Sequence, residues 1–315
     1  MAPKVPKSGV WCPAVTFFDP TTDTLDLASQ KKYYSYLSRS GLAGLVILGT
    51  NAEAFLLTRE ERAQLIATAR DAVGPDYPLM AGVGAHSTRQ VLEHIQDAAD
   101  AGADYVLVLP PAYFGKATTV SVIKSFFMDV AAASPLPVVI YNFPGVCNGV
   151  DLDSELITAL ARQSGGKIVG VKLTCASVGK ITRLAAALSP ETFAVFGGQS
   201  DFLIGGLSVG SAGCIAAFAN VFPTTISRIY ELYKNGEVEE ALKLHRIAAL
   251  AESPCKSGIA STKYAAAIFS AKRAGIEGAE EKLRPRRPYE PPSAAAKENI
   301  KTVMAELAVI EERLQ

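Results

Sequence analysis

Lys172 closes the apolar run Ile168-Val169-Gly170-Val171, a place where a strand would deliver its side chain into a desolvated cavity. Burial disfavours the ammonium, and a lysine with a depressed pKa is an amine nucleophile. Such an amine can form a Schiff base with a keto acid and use the iminium as an electron sink. The same position also suits a lysine that emerges from a strand to pair with a carboxylate. Tyr141 ends another apolar run, and its phenol could shuttle the protons that Schiff-base formation and aldol cleavage both need. Equally, it could be a core tyrosine with its hydroxyl at the rim. Gly49-Thr50-Asn51 offers something different: a glycine turn with successive backbone N–H groups, a hydroxyl and an amide, which suits a small carboxylate. Turns of this kind are common, so the signal gains weight only from its company.

These groups can meet only if the chain brings strand ends together. Short apolar runs rich in β-branched residues alternate with segments of helical period as far as about residue 235. Strands are predicted over 10–17, 45–48, 79–83, 105–109, 138–141, 168–172, 193–196 and 213–217. Helices are predicted over 27–40, 59–73, 88–101, 120–133, 154–162 and 178–188. Ser40-Gly41 and Ala101-Gly102 supply glycines for left-handed helix caps just before apolar strands. The pattern fits a closed (β/α)8 barrel, a TIM barrel, over residues 1–236. An open doubly wound sheet would place a G-x-G-x-x-G loop after the first strand, and none stands there. Beyond 236 the strand signal stops. Helices over 238–251, 257–274 and 293–313 predict a C-terminal helical extension spanning 237–315, with Ser293 as the N-cap of the last helix. The Pro- and Arg-rich connector 284–292 must be extended; a connector laid along the barrel is preferred over a targeting patch. Barrel enzymes carry their chemistry at the C-terminal ends of strands, which gathers 49–53, 141–145, 172–174 and 197–201 around one cavity.

Composition removes several classes. The 315 residues are 49% hydrophobic and 20% charged, and 31 basic residues balance 31 acidic ones, so nucleic-acid or anionic-membrane binding has no electrostatic support. No apolar stretch has the roughly 18 residues of a membrane-spanning helix. Segment 1–9 lacks an apolar h-region, and a cytoplasmic address is the expectation. Cys12, Cys147, Cys175, Cys214 and Cys255 are scattered without paired spacing, which predicts buried reduced thiols. His86, His94 and His245 form no ligand pair, so neither a metal site nor a cofactor is expected.

Taken together, the motifs resemble the dihydrodipicolinate synthase and N-acetylneuraminate lyase family of class I, pyruvate-dependent aldolases, over nearly the whole chain. Gly49-Thr50-Asn51-Ala52-Glu53 looks like its pyruvate-carboxylate loop, Tyr141-Asn142-Phe143-Pro144 like its tyrosine motif, and Val169-Gly170-Val171-Lys172 like its Schiff-base strand. The resemblance implies that Lys172 binds pyruvate as an imine and Tyr141 relays protons. Thr50 and Asn51 would hold the carboxylate, and Gly198 and Ile215 would line the pocket. It also implies a homotetramer built as a dimer of dimers.

Two departures bear on the substrate. Synthases that use aspartate semialdehyde carry an arginine shortly after the tyrosine motif, and Gly145-Val146-Cys147-Asn148-Gly149 has none. Those synthases also insert a tyrosine from a neighbouring subunit; the aligned position here is Ala112, with Tyr113 one step later, so either the relay differs or Tyr113 substitutes. Asn51 replaces a second threonine and leans toward aldolases of 2-keto-3-deoxy sugar acids or 4-hydroxy-2-oxoglutarate. Thr174, Gln199, Ser200 and Tyr113 would then meet substrate hydroxyls. The expectation is a lyase that cleaves or forms a 2-keto-3-deoxy acid from pyruvate and an aldehyde. The alternatives are dihydrodipicolinate synthesis and, from another class, a catalytically silent keto-acid-binding barrel.

Overall fold

The computed structural model describes residues 4–314. Eight parallel strands close into one barrel in sequence order: β1 Gly9–Pro13, β2 Gly44–Ile47, β3 Leu79–Gly82, β4 Tyr105–Val108, β5 Val138–Asn142, β6 Ile168–Leu173, β7 Ala194–Gly197 and β8 Gly213–Ile215. Between them run α1 Leu27–Ser38, α2 Arg59–Val73, α3 Thr88–Asp100, α4 Val120–Ala133, α5 Ser154–Gln163, α6 Val178–Ala187 and the short α7 Leu203–Leu207. Local chemistry sets these starts. Thr58 and Glu61 form a reciprocal capping box on α2, while the side chains of Ser87, Thr119, Asp153 and Ser177 cap α3 to α6. α8 Pro223–Lys234 completes the outer ring, and α9 Val238–Glu252, α10 Ile259–Ala266, α11 Ala279–Lys282 and α12 Ala294–Leu314 follow.

Two differences from the sequence expectation have local causes. β1 stops at Pro13 rather than 17, because beyond it the chain turns to bridge Phe18 with Leu25. The helix expected over 257–274 begins only at Ile259. Gly258, at φ 130° and ψ −176°, breaks it from the preceding 3-10 turn, and a π-helical turn over Ala267–Ala271 follows α10. The connector 284–292 is non-helical, and Ser293 Oγ accepts from Ala296 N–H at 3.2 Å to open α12.

Side chains alternate cleanly around the barrel. Val10, Cys12, Leu45, Ile47, Val106, Val108, Val138 and Ile140 face the helices. Trp11, Val46, Met80, Leu107, Val139 and Phe196 fill the interior, where Trp11 meets Tyr105 and Phe196 edge-on at 6.2 and 6.3 Å. β6 breaks the rule. Val169 is interior, so strict alternation would put Val171 and Leu173 inside and Lys172 among the helices. Instead Val171 and Leu173 pack outward. The pairing with β5 explains it: Val138 faces Ile168 but Val139 faces Gly170, leaving Val169 as one extra residue. This β-bulge reverses the parity of the strand and aims Lys172 inward, level with Tyr141. Gly170 is required there, because a Cβ would stand 2.7 Å from the Ala194 carbonyl oxygen of β7.

Candidate active site

At the C-terminal mouth of the barrel lies a cavity of about 750 Å³. Lys172, Tyr141, Thr50, Asn51, Gly198, Thr174 and Gln199 all line it. Lys172 is almost fully buried, and its ammonium sits 4.2 Å from the centre of the Tyr141 ring. Among the described residues it has no ion-pair partner, which removes the reading of a strand-end lysine committed to a carboxylate. Tyr141, also buried, places its hydroxyl 3.3 Å from Thr50 Oγ1 and lies near-parallel to Phe143. Amine, phenol and threonine hydroxyl are thus neighbours, although they come from the ends of β6, β5 and β2.

The turn after β2 is held in an uncommon backbone state. Leu48 and Glu53 both adopt left-handed φ, at 65° and 56°, on either side of the 3-10 turn Thr50–Ala52. Such residues persist only where the surroundings over-determine them. Within the turn, Ala52 and Glu53 donate their N–H groups to Gly49 and Thr50 carbonyls at 3.0 Å each. The N–H groups of Thr50 and Asn51 have no protein partner among the described residues, which leaves two adjacent donors beside the cavity. Gly82 of β3 lets the turn lie close, since a Cβ there would be 2.0 Å from the Leu48 carbonyl oxygen. Behind it, Arg62 donates to the Gly82 carbonyl at 3.1 Å, and burial pulls its guanidinium down to about 10.

Gly198 and Thr174 form a second close approach. A Cβ on Gly198 would meet Thr174 Oγ1 at 2.1 Å, and that buried hydroxyl has no hydrogen-bond partner among the described residues. Asn142, beside Tyr141 in sequence, is structural: it donates to Asp151 at 2.6 Å and accepts from Leu152 N–H at 2.9 Å.

Three expected residues stand apart from the cavity. Ile215 is wholly buried in the barrel interior beneath it. Ser200 is committed to Glu252 and, through its carbonyl, to His245 at 2.7 Å. Tyr113 is 72% exposed on the loop after β4, packed against His86 and Phe114 in a separate surface groove.

Sequence reasoning missed the roof of the cavity. Cys255, Ser257, Ile259, Thr262 and Tyr289 come from the extension and connector. The link is a buried ion pair: Lys263 of α10 meets Glu53 at 2.5 Å with both side chains at most 3% exposed. Burial pulls the Lys263 ammonium down, and the Glu53 charge opposes that. The only available signals were a lone lysine inside an apolar helix and a glutamate ending the turn motif.

A closed barrel that gathers an amine, a phenol and an open donor turn at its mouth is the architecture of a carbon–carbon lyase of the aldolase class. The chain belongs to the dihydrodipicolinate synthetase family, whose model matches residues 6–307. It is 79% identical over 311 residues, 99% of each chain, to a Coccidioides immitis (strain RS) protein provisionally named 4-hydroxy-2-oxoglutarate aldolase, mitochondrial. It is 38% identical over 277 residues to the L-threo-3-deoxy-hexylosonate aldolase of Hypocrea jecorina, covering 84% of this chain and 87% of that one. A crystal structure of a dihydrodipicolinate synthase family protein from Coccidioides immitis superposes with a TM-score of 0.95 at 76% identity over 100% of both chains.

The mitochondrial name of the Coccidioides relative corrects the cytoplasmic expectation. A missing apolar h-region argues only against secretion, whereas mitochondrial presequences are amphipathic, basic and poor in acidic residues. Segment 1–9, with two lysines and no acid, did not exclude that compartment.

Proposed function

We propose that this enzyme is a Schiff-base aldolase that cleaves 4-hydroxy-2-oxoglutarate to pyruvate and glyoxylate, with Lys172 as nucleophile and Tyr141 as proton relay. The observation that carries the reading is Lys172, buried against the Tyr141 ring and beside the open turn with no counter-ion among the described residues. Thr50 and Asn51 receive the C1 carboxylate through their free N–H groups and side chains, and Gly198 leaves room for substrate beside Thr174. Lys172 Nζ adds to the C2 carbonyl and water leaves, giving the iminium. Tyr141, having given its phenolic proton to the hydroxyl that leaves as water, takes the proton of the C4 hydroxyl, the C3–C4 bond breaks, and its electron pair flows into the iminium as an enamine. Glyoxylate departs; C3 is protonated and hydrolysis releases pyruvate and free Lys172. The reverse condensation uses the same groups.

The choice of 4-hydroxy-2-oxoglutarate rests on the name of the 79% identical relative. A 2-keto-3-deoxy sugar acid is the second reading, favoured by the Hypocrea relative and by the unpartnered Thr174 hydroxyl. Dihydrodipicolinate synthesis is disfavoured because 145–149 lacks the arginine that resemblance to those synthases would require there. The exposed Tyr113, Phe114, Val120 and Val122 form an apolar face that supports a homo-oligomer, with a dimer of dimers as the finer proposal. Light scattering tests it, and a mass near one chain would refute it.

Incubation with pyruvate, borohydride reduction and peptide mass spectrometry tests the chemistry. The expected adduct is on Lys172 and is lost, with all turnover, in Lys172→Ala. An intact protein without adduct, or with one on another lysine, would replace this reading with the binding-barrel alternative.

A further inference from the structure

The Glu53 carboxylate lies at the end of the strained turn, and its partners among the described residues come from the C-terminal part of the chain. Lys263 Nζ reaches one oxygen at 2.5 Å, and the backbone N–H of Arg286 donates to the other at 2.7 Å. Lys263 is itself oriented by the Arg284 carbonyl at 3.0 Å and lies 4.7 Å from the centre of the Phe18 ring. The Arg286 side chain continues the clamp. It donates to the Leu56 carbonyl at 2.9 Å, just past the turn, and is fixed by both oxygens of Glu61 at 2.5 and 2.8 Å. On the barrel side the turn is tied by Thr16 Oγ1, which donates to the Ala52 carbonyl at 2.8 Å, and by the hydrogen bond between Thr50 Oγ1 and the Tyr141 hydroxyl at 3.3 Å.

A buried ion pair is a weak source of net stability, because desolvating both charges offsets their attraction; its attested use is to fix one arrangement. Here the arrangement fixed is a turn with left-handed residues at Leu48 and Glu53, which relaxes readily unless both ends are held.

We propose that Lys263 and Glu53 are positioning residues for the keto-acid carboxylate: through their buried pair, the C-terminal extension holds the Thr50–Asn51 donors in their binding geometry. Neither touches the reacting atoms. The effect therefore falls on the concentration of pyruvate needed to fill the site rather than on bond cleavage once the imine has formed. This rests on the reading that Lys172 forms the imine and that Thr50 and Asn51 take the carboxylate.

The test is borohydride trapping of pyruvate as a function of its concentration, beside steady-state turnover. In Lys263→Met the half-saturating pyruvate concentration rises about ten- to hundredfold, the scale on which a small misplacement of a binding group is felt. Trapping still saturates on Lys172 and kcat changes far less than KM. Failure of the wild type to trap at Lys172 would sink the underlying reading. Normal trapping in the wild type with an unshifted midpoint in folded Lys263→Met would overturn only the positioning role. If the single variant fails to fold, the neutral pair E53Q/K263M leaves no unpaired buried charge. Folded with a raised midpoint it supports the proposal, and folded with the wild-type midpoint it refutes it. Amide exchange on the wild-type chain reads the same coupling without substitution. Pyruvate should slow exchange at 50–56 and also at 263–266, which do not line the cavity; protection confined to the turn would overturn the proposal.

Discussion

Replacing Gly82 with alanine should separate binding from folding at this site. The added Cβ would stand 2.0 Å from the Leu48 carbonyl oxygen, 2.6 Å from its carbon and 3.3 Å from Gly49 N. All three are backbone atoms, so no side chain can swing aside. Carbon–oxygen contacts settle near 3.3 Å, and the turn must therefore retreat by about 1.3 Å. Overpacking of this kind costs about 1–3 kcal/mol of stability, which a large barrel tolerates. The functional cost is of similar size but has a separate cause, because Thr50 and Asn51 follow directly on Gly49. A displacement near 1 Å in a positioning element is worth about a hundredfold in rate, or ~2.7 kcal/mol. Urea unfolding would read the first quantity, and kcat/KM for the keto acid the second. A variant with both the wild-type midpoint and the wild-type kcat/KM would refute the close approach and with it the role given to the turn.

Gly170→Ala adds a Cβ 2.7 Å from the Ala194 carbonyl oxygen and should disturb the bulge that aims Lys172; imine trapping should slow at saturating pyruvate, and an unchanged trapping rate would refute that account. Tyr141→Phe keeps the ring under Lys172 but removes the hydroxyl beside Thr50, so turnover should fall by about 10²–10⁴ while pyruvate still saturates. Burial would raise the Glu61 carboxyl, but hydrogen bonds from Arg286 and the Thr58 N–H, with the Arg286 charge, hold it below its ordinary value. With the folded pKa depressed, this stability is present above the unfolded value of about 4.3 and is lost as pH falls through the folded one. Glu61→Gln should therefore lower Tm at neutral pH and flatten its fall in acid; an unaltered acid slope would contradict the assignment.

Much of this protein is legible along the chain. Helices α2 and α4 begin and end where apolar period and capping residues put them, because capping and periodicity involve neighbours three or four residues apart. The barrel follows from eight alternating units, and Lys172, Tyr141 and Gly49-Thr50-Asn51 declared themselves as amine, phenol and donor turn by residue type at strand ends. Other features had no local signal, or one that could not be read alone. Val169 and Val171 are equally apolar, so only pairing of β6 against β5 shows that parity reverses and Lys172 points inward. A glycine in a strand hinted at Gly170, but which backbone would crowd it depends on β7. Tyr113 and Ser200 have suitable chemistry, yet one faces outward and the other is taken by Glu252. Glu53 and Lys263, 210 positions apart, acquire a shared role only when the extension folds back over the barrel mouth. Residue type and short-range period therefore determined the fold and the chemical groups available. Side-chain direction and long-range partners were decided by packing, which depends on atoms brought together from across the whole chain.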